Sequence, residues 1–308
     1  MKKAVVERVV KGCMGYRKKE TLLIVTDDEL EGLAKPFFEK ATSIGIEATL
    51  MLMKQRKVHG EEPPRAIAHA LREVDIALLI TKKSLSHTMA RREACRRWGT
   101  RIASMPDITL EIINRSLDID YEDLRKRAQD LVKIFSGGKT ARVTTKTGTD
   151  LIISIIERKG YKDTGLYTKK GAFGNLPAGE FCIAPVEGSA QGIVVLDASM
   201  AGIGRLTKPI RLIIEDGYVT DISSKKLIRL IEPLGRSALN VAELGIGLNP
   251  KAKDTGNVLE DEKAIGTGHI ALGDNISFGG KIKAPCHLDG VFFDPTIIVD
   301  GKEMEVNL

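Results

Sequence analysis

The first 135 residues alternate between short continuous apolar runs and longer stretches with helical spacing. Leu22-Leu23-Ile24-Val25-Thr26 is an apolar run that stops at Asp27-Asp28, a pair suited to starting a helix that runs to about Ser43, where Gly45 breaks it. Glu47 to Met53 predicts a second strand, and Pro63-Pro64 opens a helix through Glu73, with proline in its permitted first turn. Asp75 to Thr81 and Arg101 to Ser104 predict two more strands, separated by an arginine-rich helix from Ser86 to Trp98-Gly99. Two helical stretches continue to about Phe135. Apolar strands separated by helices predict a parallel sheet covered on both faces, an α/β doubly wound domain over residues 1–136.

The pattern changes after Ser136-Gly137-Gly138. Alternating and β-branched runs now follow one another between glycines: Arg142 to Thr147, Asp150 to Ile156, Gly192 to Leu196, Ile210 to Glu215, Tyr218 to Ile222 and Gly290 to Val299. Asp216-Gly217 between two of these runs predicts a hairpin. Leu227 to Leu234 is the clearest helical stretch before Asn240. Residues 137–308 therefore read as a β-rich α+β domain.

Composition narrows the function classes. The 308 residues are 43% hydrophobic and 29% charged, which suits a globular chain and excludes wholesale disorder. No apolar run approaches the ~20 residues that cross a membrane, and Glu7 interrupts the N-terminus too early for a signal peptide. Four scattered cysteines, with no CxxC pair, predict a reduced, cytoplasmic protein. The net charge is only +6 and the charges are mixed, so the Arg91, Arg92, Arg96, Arg97 cluster reads as a solvated helix face before a nucleic-acid grip. Three glutamines beside abundant Lys, Arg and Glu point to a thermophilic source.

Several familiar motifs are absent. Ser136-Gly137-Gly138-Lys139-Thr140 lacks the first glycine of a P-loop, Lys133 standing in its place. The first strand runs into Thr26-Asp27-Asp28-Glu29, whose acids would repel a pyrophosphate, so a dinucleotide-binding dehydrogenase is disfavoured.

The polar residues set inside apolar strands are more informative. His287-Leu288-Asp289 places an imidazole and a carboxylate on one face of an extended segment. His269 lies in Gly266-Thr267-Gly268-His269-Ile270-Ala271-Leu272-Gly273, where glycines permit close backbone approach. Two imidazoles and one acid suit a catalytic zinc or a non-haem iron, although each histidine could equally be a satisfied core residue. Glu180 sits between a proline turn and an apolar strand, and Glu243 is the lone charge of Asn240-Val241-Ala242-Glu243-Leu244-Gly245-Ile246-Gly247. Buried acids need partners, which a metal ion or a basic side chain could provide.

These segments together resemble the aminopeptidase T family of metallopeptidases, which join an α/β domain to a metal-binding domain. Asn175 to Pro185 is similar to that family's first glutamate segment, at Glu180, and Ala-Glu-Leu-Gly-Ile-Gly is similar to the second, at Glu243. Gly-His-Ile-Ala-Leu-Gly matches the histidine segment, at His269, and His-Leu-Asp matches the closing pair, His287 and Asp289. The family's tyrosine ligand falls seven residues after the histidine, where this chain has Ile276. A related branch, similar to 2,5-dihydroxypyridine dioxygenases, uses the two histidines and the aspartate to hold one iron.

The resemblance implies a metal-dependent hydrolase that cleaves an N-terminal peptide bond with metal-activated water. One or two divalent ions (Zn, Co or Mn) would be held by Glu180, Glu243, His269, His287 and Asp289. Glu180 or Glu243 would bridge a metal pair, and Glu262, in the Glu260-Asp261-Glu262 run, would shuttle the proton unless that run is a solvated loop. Arg158 is a candidate clamp for a substrate carboxylate, with a plain surface arginine as the blander reading. The alternatives are a mononuclear iron ring-cleaving dioxygenase using Fe(II) at His269, His287 and Asp289, and a decayed homologue that only binds a ligand. The expected partners are a peptide or other small-molecule substrate and a second copy of the chain in a homodimer, with no membrane and no nucleic acid.

Overall fold

The computed structural model describes residues 2–304 and divides into two compact units, Met1–Tyr121 with Asp163–Ala178, and Glu122–Lys162 with Gly179–Leu308. The helix Tyr121–Phe135, expected to close the first domain, thus lies almost wholly in the second unit, where Phe135 packs on Phe181 with ring centroids 4.6 Å apart. Residues 1 and 305–308, the outer ends of the two expected domains, fall outside the description.

The first unit is built on a five-stranded parallel sheet, in the order Glu47–Met53, Thr21–Asp27, Ile76–Ile80, Arg101–Ser104, Phe173–Asn175. The four strands expected here are all present, and Phe173–Asn175 adds a fifth from beyond residue 137. Ile76–Ile80 is fully buried, as a central strand covered on both faces must be. Leu23, Val25, Ala77, Leu79 and Ile102 pack with Ile67, Leu71 and Ala94 of the flanking helices. Helix ends depart from expectation where tertiary partners set them. The helix after Pro64 stops at Ala70, three residues before Glu73, and Thr100 Oγ1 donates to the Leu71 carbonyl at 2.7 Å. The arginine helix starts at Met89, capped by Thr88, whose hydroxyl accepts from Arg91 N. Arg91 is not on a solvated face: its guanidinium lies 3.8 Å over the Phe173 ring.

The second unit contains two seven-stranded antiparallel sheets. One runs Tyr218–Ile222, Ile210–Glu215, Gln191–Leu196, Asp150–Ser154, Thr140–Thr144, Thr296–Val299, Lys302–Glu303. Its hairpin at Asp216-Gly217 has φ of 48° and 79°, the two left-handed residues that a twisted hairpin requires. The other runs Gly204–Arg205, Ser199–Met200, His287–Phe293, Thr267–Gly273, Val241–Gly247, Glu180–Ile183, Tyr161–Asp163. The apolar run Gly290 to Val299, read as one strand, is split between the two sheets because Asp294, at φ 48°, and Pro295 interrupt it. One face of the second sheet carries Leu244, Ile246, Ile270, Leu272 and Phe292 into the core. The other face carries the polar residues described next. Among the described residues, no helix is long and apolar enough to cross a membrane.

Candidate metal centre

Four adjacent strands of the second sheet bring the polar residues together. Alternation puts Glu243, Gly245 and Gly247 on one face, with Thr267, His269 and Ala271, and with His287, Asp289 and Val291, on the same face of the neighbouring strands. Glu180 pairs with Gly247, His269 with Gly245, and Asp289 with Ala271. Each functional side chain therefore faces a residue with little or no side chain. The space is needed: a Cβ at Gly245 would lie 2.0 Å from His269 Cε1 and Nε2.

The donors converge in two overlapping groups. One oxygen each from Glu180 and Glu243 and one nitrogen of His269 lie within 4.8 Å of one another, and Glu262, His269 and Asp289 form a second such group. His287 joins them, its Nε2 lying 3.2 Å from Glu243 Oε2 and 3.5 Å from Asp289 Oδ1. His269 Nε2 lies 3.5 Å from both Glu180 Oε2 and Glu243 Oε1.

Hydrogen bonding shows what this arrangement lacks. His287 Nδ1 lies 2.8 Å from the Asp274 carbonyl, which can only accept, so Nδ1 carries a proton. In the neutral ring Nε2 is then a lone pair aimed at two carboxylates. Glu243 is 2% exposed, and its Oε2 has no hydrogen-bond partner; neither has His269 Nδ1, in a ring that is 1% exposed. Lone pairs turned toward one another in a buried site need a cation between them, and either protons or a metal ion can supply it. Imidazole and carboxylate donors, one ring oriented by a backbone carbonyl, fit a divalent metal ion.

Without a metal, protons take that role, and the charges around each group set where they sit. Burial pushes the Glu243 carboxyl up, but the adjacent imidazoles outweigh it and hold the acid below the usual carboxylate range. Burial pushes His269 down, and Glu243, Glu180 and Glu262 outweigh it, lifting the ring to about 9. His287 is raised well above its ordinary value because Asp289 and Glu243 outweigh its burial. Asp289 is lowered, His287 overcoming the effect of burial. Glu262 moves the other way, to about 8, through burial, with Asp289 and Glu180 adding to it and Lys263 opposing.

The remaining expected residues sit differently. The Glu260-Asp261-Glu262 run is not a solvated loop: the three acids are 0%, 0% and 6% exposed. Arg158 is engaged elsewhere, its guanidinium donating to the Glu187 carboxylate and to the Gly279 carbonyl. Glu187 Oε1 also accepts from Lys281 N at 2.7 Å and Asn275 Nδ2 at 3.2 Å, so this pair ties down the loop after the His269 strand. That loop carries Phe278, which stacks on the His287 ring with centroids 5.1 Å apart. Ile276, at the position of the family tyrosine, is 50% exposed and has no donor atom to offer. Lys263 was not anticipated. It is 2% exposed, with Nζ 2.5 Å from Glu180 Oε1 and 2.6 Å from Glu262 Oε1. The only local signal was that its charge run lies between Val258-Leu259 and Ala264-Ile265.

Comparison with known proteins shows which family and fold the chain is similar to. The family described as NicX: 2,5-dihydroxypyridine 5,6-dioxygenase matches residues 7–307. The 2,5-dihydroxypyridine 5,6-dioxygenase of Pseudomonas putida KT2440 is 24% identical over 289 residues, which are 87% of this chain and 78% of that protein. The solved structure of 2,5-dihydroxypyridine dioxygenase from P. putida KT2440 has a TM-score of 0.80 at 21% identity, over 98% of this chain and 94% of its own. Wild-type AmpT from Thermus thermophilus has a TM-score of 0.71 at 16% identity, over 98% and 96%. Both structures share the α/β plus β-rich architecture expected from the sequence.

Proposed function

The chain belongs to the NicX 2,5-dihydroxypyridine 5,6-dioxygenase family, and from that premise we propose that it is a mononuclear non-haem iron dioxygenase that opens a dihydroxylated aromatic ring. The observation that carries the reading is the donor set itself, two imidazoles and an aspartate on neighbouring strands, with His287 Nε2 freed by the Asp274 carbonyl. His269, His287 and Asp289 would hold ferrous iron, the ligand combination of non-haem iron oxygenases. Iron bound there would let dioxygen react with a closed-shell ring, both oxygen atoms entering the opened product so that no external reductant is consumed. The chain's own part is to fix the donors. The Asp274 carbonyl and the Phe278 ring orient His287. Glu262, pushed up to about 8, can exchange a proton with a ring hydroxyl near neutral pH.

The family match favours this alternative over the aminopeptidase-like hydrolase expected first. The family match and the P. putida relative both name a dioxygenase, while the likeness to AmpT, at 16% identity, carries the fold alone. The chain offers Ile276 where the aminopeptidase pattern has a tyrosine ligand.

Anaerobic loading with Fe(II), followed by oxygen-uptake measurement with 2,5-dihydroxypyridine as the probe, tests the reading. The expected result is iron-dependent oxygen consumption with about one iron per chain. The His287→Ala, Asp289→Ala double variant should lose the iron and at least ~1,000-fold in rate, because the ligands act as a unit. Hydrolysis of aminoacyl substrates by Zn-, Co- or Mn-loaded protein, without oxygen uptake, would restore the hydrolase. Equal metal in the double variant and in the unaltered chain, with neither activity, would leave a ligand-binding homologue.

A further inference from the structure

We propose that Lys263 sets the number of metal ions: its ammonium stands where a second cation would, so the centre takes one divalent ion and not two. The inference rests on the preceding reading only in requiring a metal centre, whatever its chemistry. Its basis is the placement of one buried lysine. Lys263 Nζ contacts Glu180 Oε1 at 2.5 Å and Glu262 Oε1 at 2.6 Å, with its side chain 3% exposed. Glu180 belongs to one of the two three-donor groups and Glu262 to the other, and the groups share His269. The lysine thus occupies one acid of each group.

The other donors are Glu243, His269, His287 and Asp289. They are linked in a chain by separations of 3.5, 3.2 and 3.5 Å, which is one site's worth of ligands.

Charge points the same way. Glu180, Glu243, Glu262 and Asp289 bring four carboxyl groups into a water-poor space, able to carry more negative charge than one divalent ion neutralises. A protein can balance the excess with a second ion or with a cationic side chain. Lys263 places one positive charge on the surplus pair and takes up part of that excess. A second divalent ion would then lie beside a buried ammonium, and the repulsion between them is strongest where water is excluded. Replacing the ammonium with an uncharged side chain should reopen the second position, since the four acids would then match two divalent ions.

Metal content separates the outcomes. Metal-stripped chain reloaded with Mn(II) should bind about one ion, Lys263→Met about two, and Lys263→Arg about one, since the arginine keeps the positive charge. Binding of two ions by the unaltered chain would overturn the inference, as would a folded Lys263→Met that still takes one. Should Lys263→Met not fold, the unaltered chain decides alone. Its Mn(II) electron paramagnetic resonance spectrum should be that of isolated ions at every loading, and a spin-coupled pair would refute the proposal. Metal retained in the His287→Ala, Asp289→Ala variant would instead count against the metal centre itself, independently of Lys263.

Discussion

Two buried acids in different units show what distinguishes a structural carboxylate from a functional one. Asp27, at the end of the first parallel strand, is fully buried, and its oxygens accept from Leu30 N at 3.1 Å and Lys82 N at 2.6 Å. Its charge is met by backbone amides that would otherwise be orphans, one of them at the entry to a helix. Glu243 is buried to nearly the same degree, but it faces imidazole nitrogens, and one oxygen has no hydrogen-bond partner. Burial alone is therefore no sign of function. What matters is whether the partners carry protons of their own or wait for a cation.

The contrast can be tested most severely at Gly245. Gly245→Ala would put a Cβ 2.0 Å from the His269 ring, and both atoms cannot keep their places. Metal affinity should fall by about 10–100-fold, as when the groups orienting a ligand are altered. Calorimetric titration measures it, and unchanged affinity would show that His269 is not a ligand. Asp27→Ala should do the opposite. Two buried amides lose their acceptor, which should cost about 2–4 kcal/mol of stability while leaving metal content unaltered. Denaturant unfolding beside metal analysis checks both halves.

The smallest effect concerns pH in metal-free protein. Glu262 at about 8 and His269 at about 9 both bind protons more tightly folded than unfolded. The Glu262 contribution is complete below about 4.5 and fades as pH rises through 8; that of His269 is complete below about 6.5 and fades through 9. Stability of the metal-free chain should therefore fall as pH rises from about 5 to 9. Metal affinity should rise over the same range, because the ion displaces those protons. Thermal melts with and without metal would give diverging curves, and parallel curves would show that the cluster does not couple protons to metal.

Much of this was legible from local pattern. Ile76–Ile80 reads as a central strand because nothing polar interrupts it, and it is buried throughout. Glu180, Glu243, His269, His287 and Asp289 were noticeable for the converse reason, as polar residues at alternate positions of otherwise apolar strands. His287 and Asp289, two apart, do meet at 3.5 Å. What stayed hidden depended on distant partners. Lys263 belongs to a charge run from which only Glu262 stood out, and nothing nearby in sequence says that Glu180 lies against that lysine. Whether Arg158 clamps a substrate or lies on the surface was open in the sequence because its partner Glu187 is 29 residues away. The helix after Pro64 ends where Thr100 reaches its Leu71 carbonyl, a contact no window around Pro64 contains.

The spacing of the donors along the chain has a kinetic consequence. Glu180, Glu243, His269 and Asp289 lie on four neighbouring strands whose pairing joins residues as far apart as Glu180 and Gly247, 67 positions (247 − 180) along the chain. Contacts that close such long loops form late, after much of each strand is in place. The carboxylates are thus far apart for most of the folding reaction and crowd together only near its end. An ion that needs them together contributes little at the folding barrier and acts on the way out, so it should lengthen the lifetime of the native state without hastening its formation.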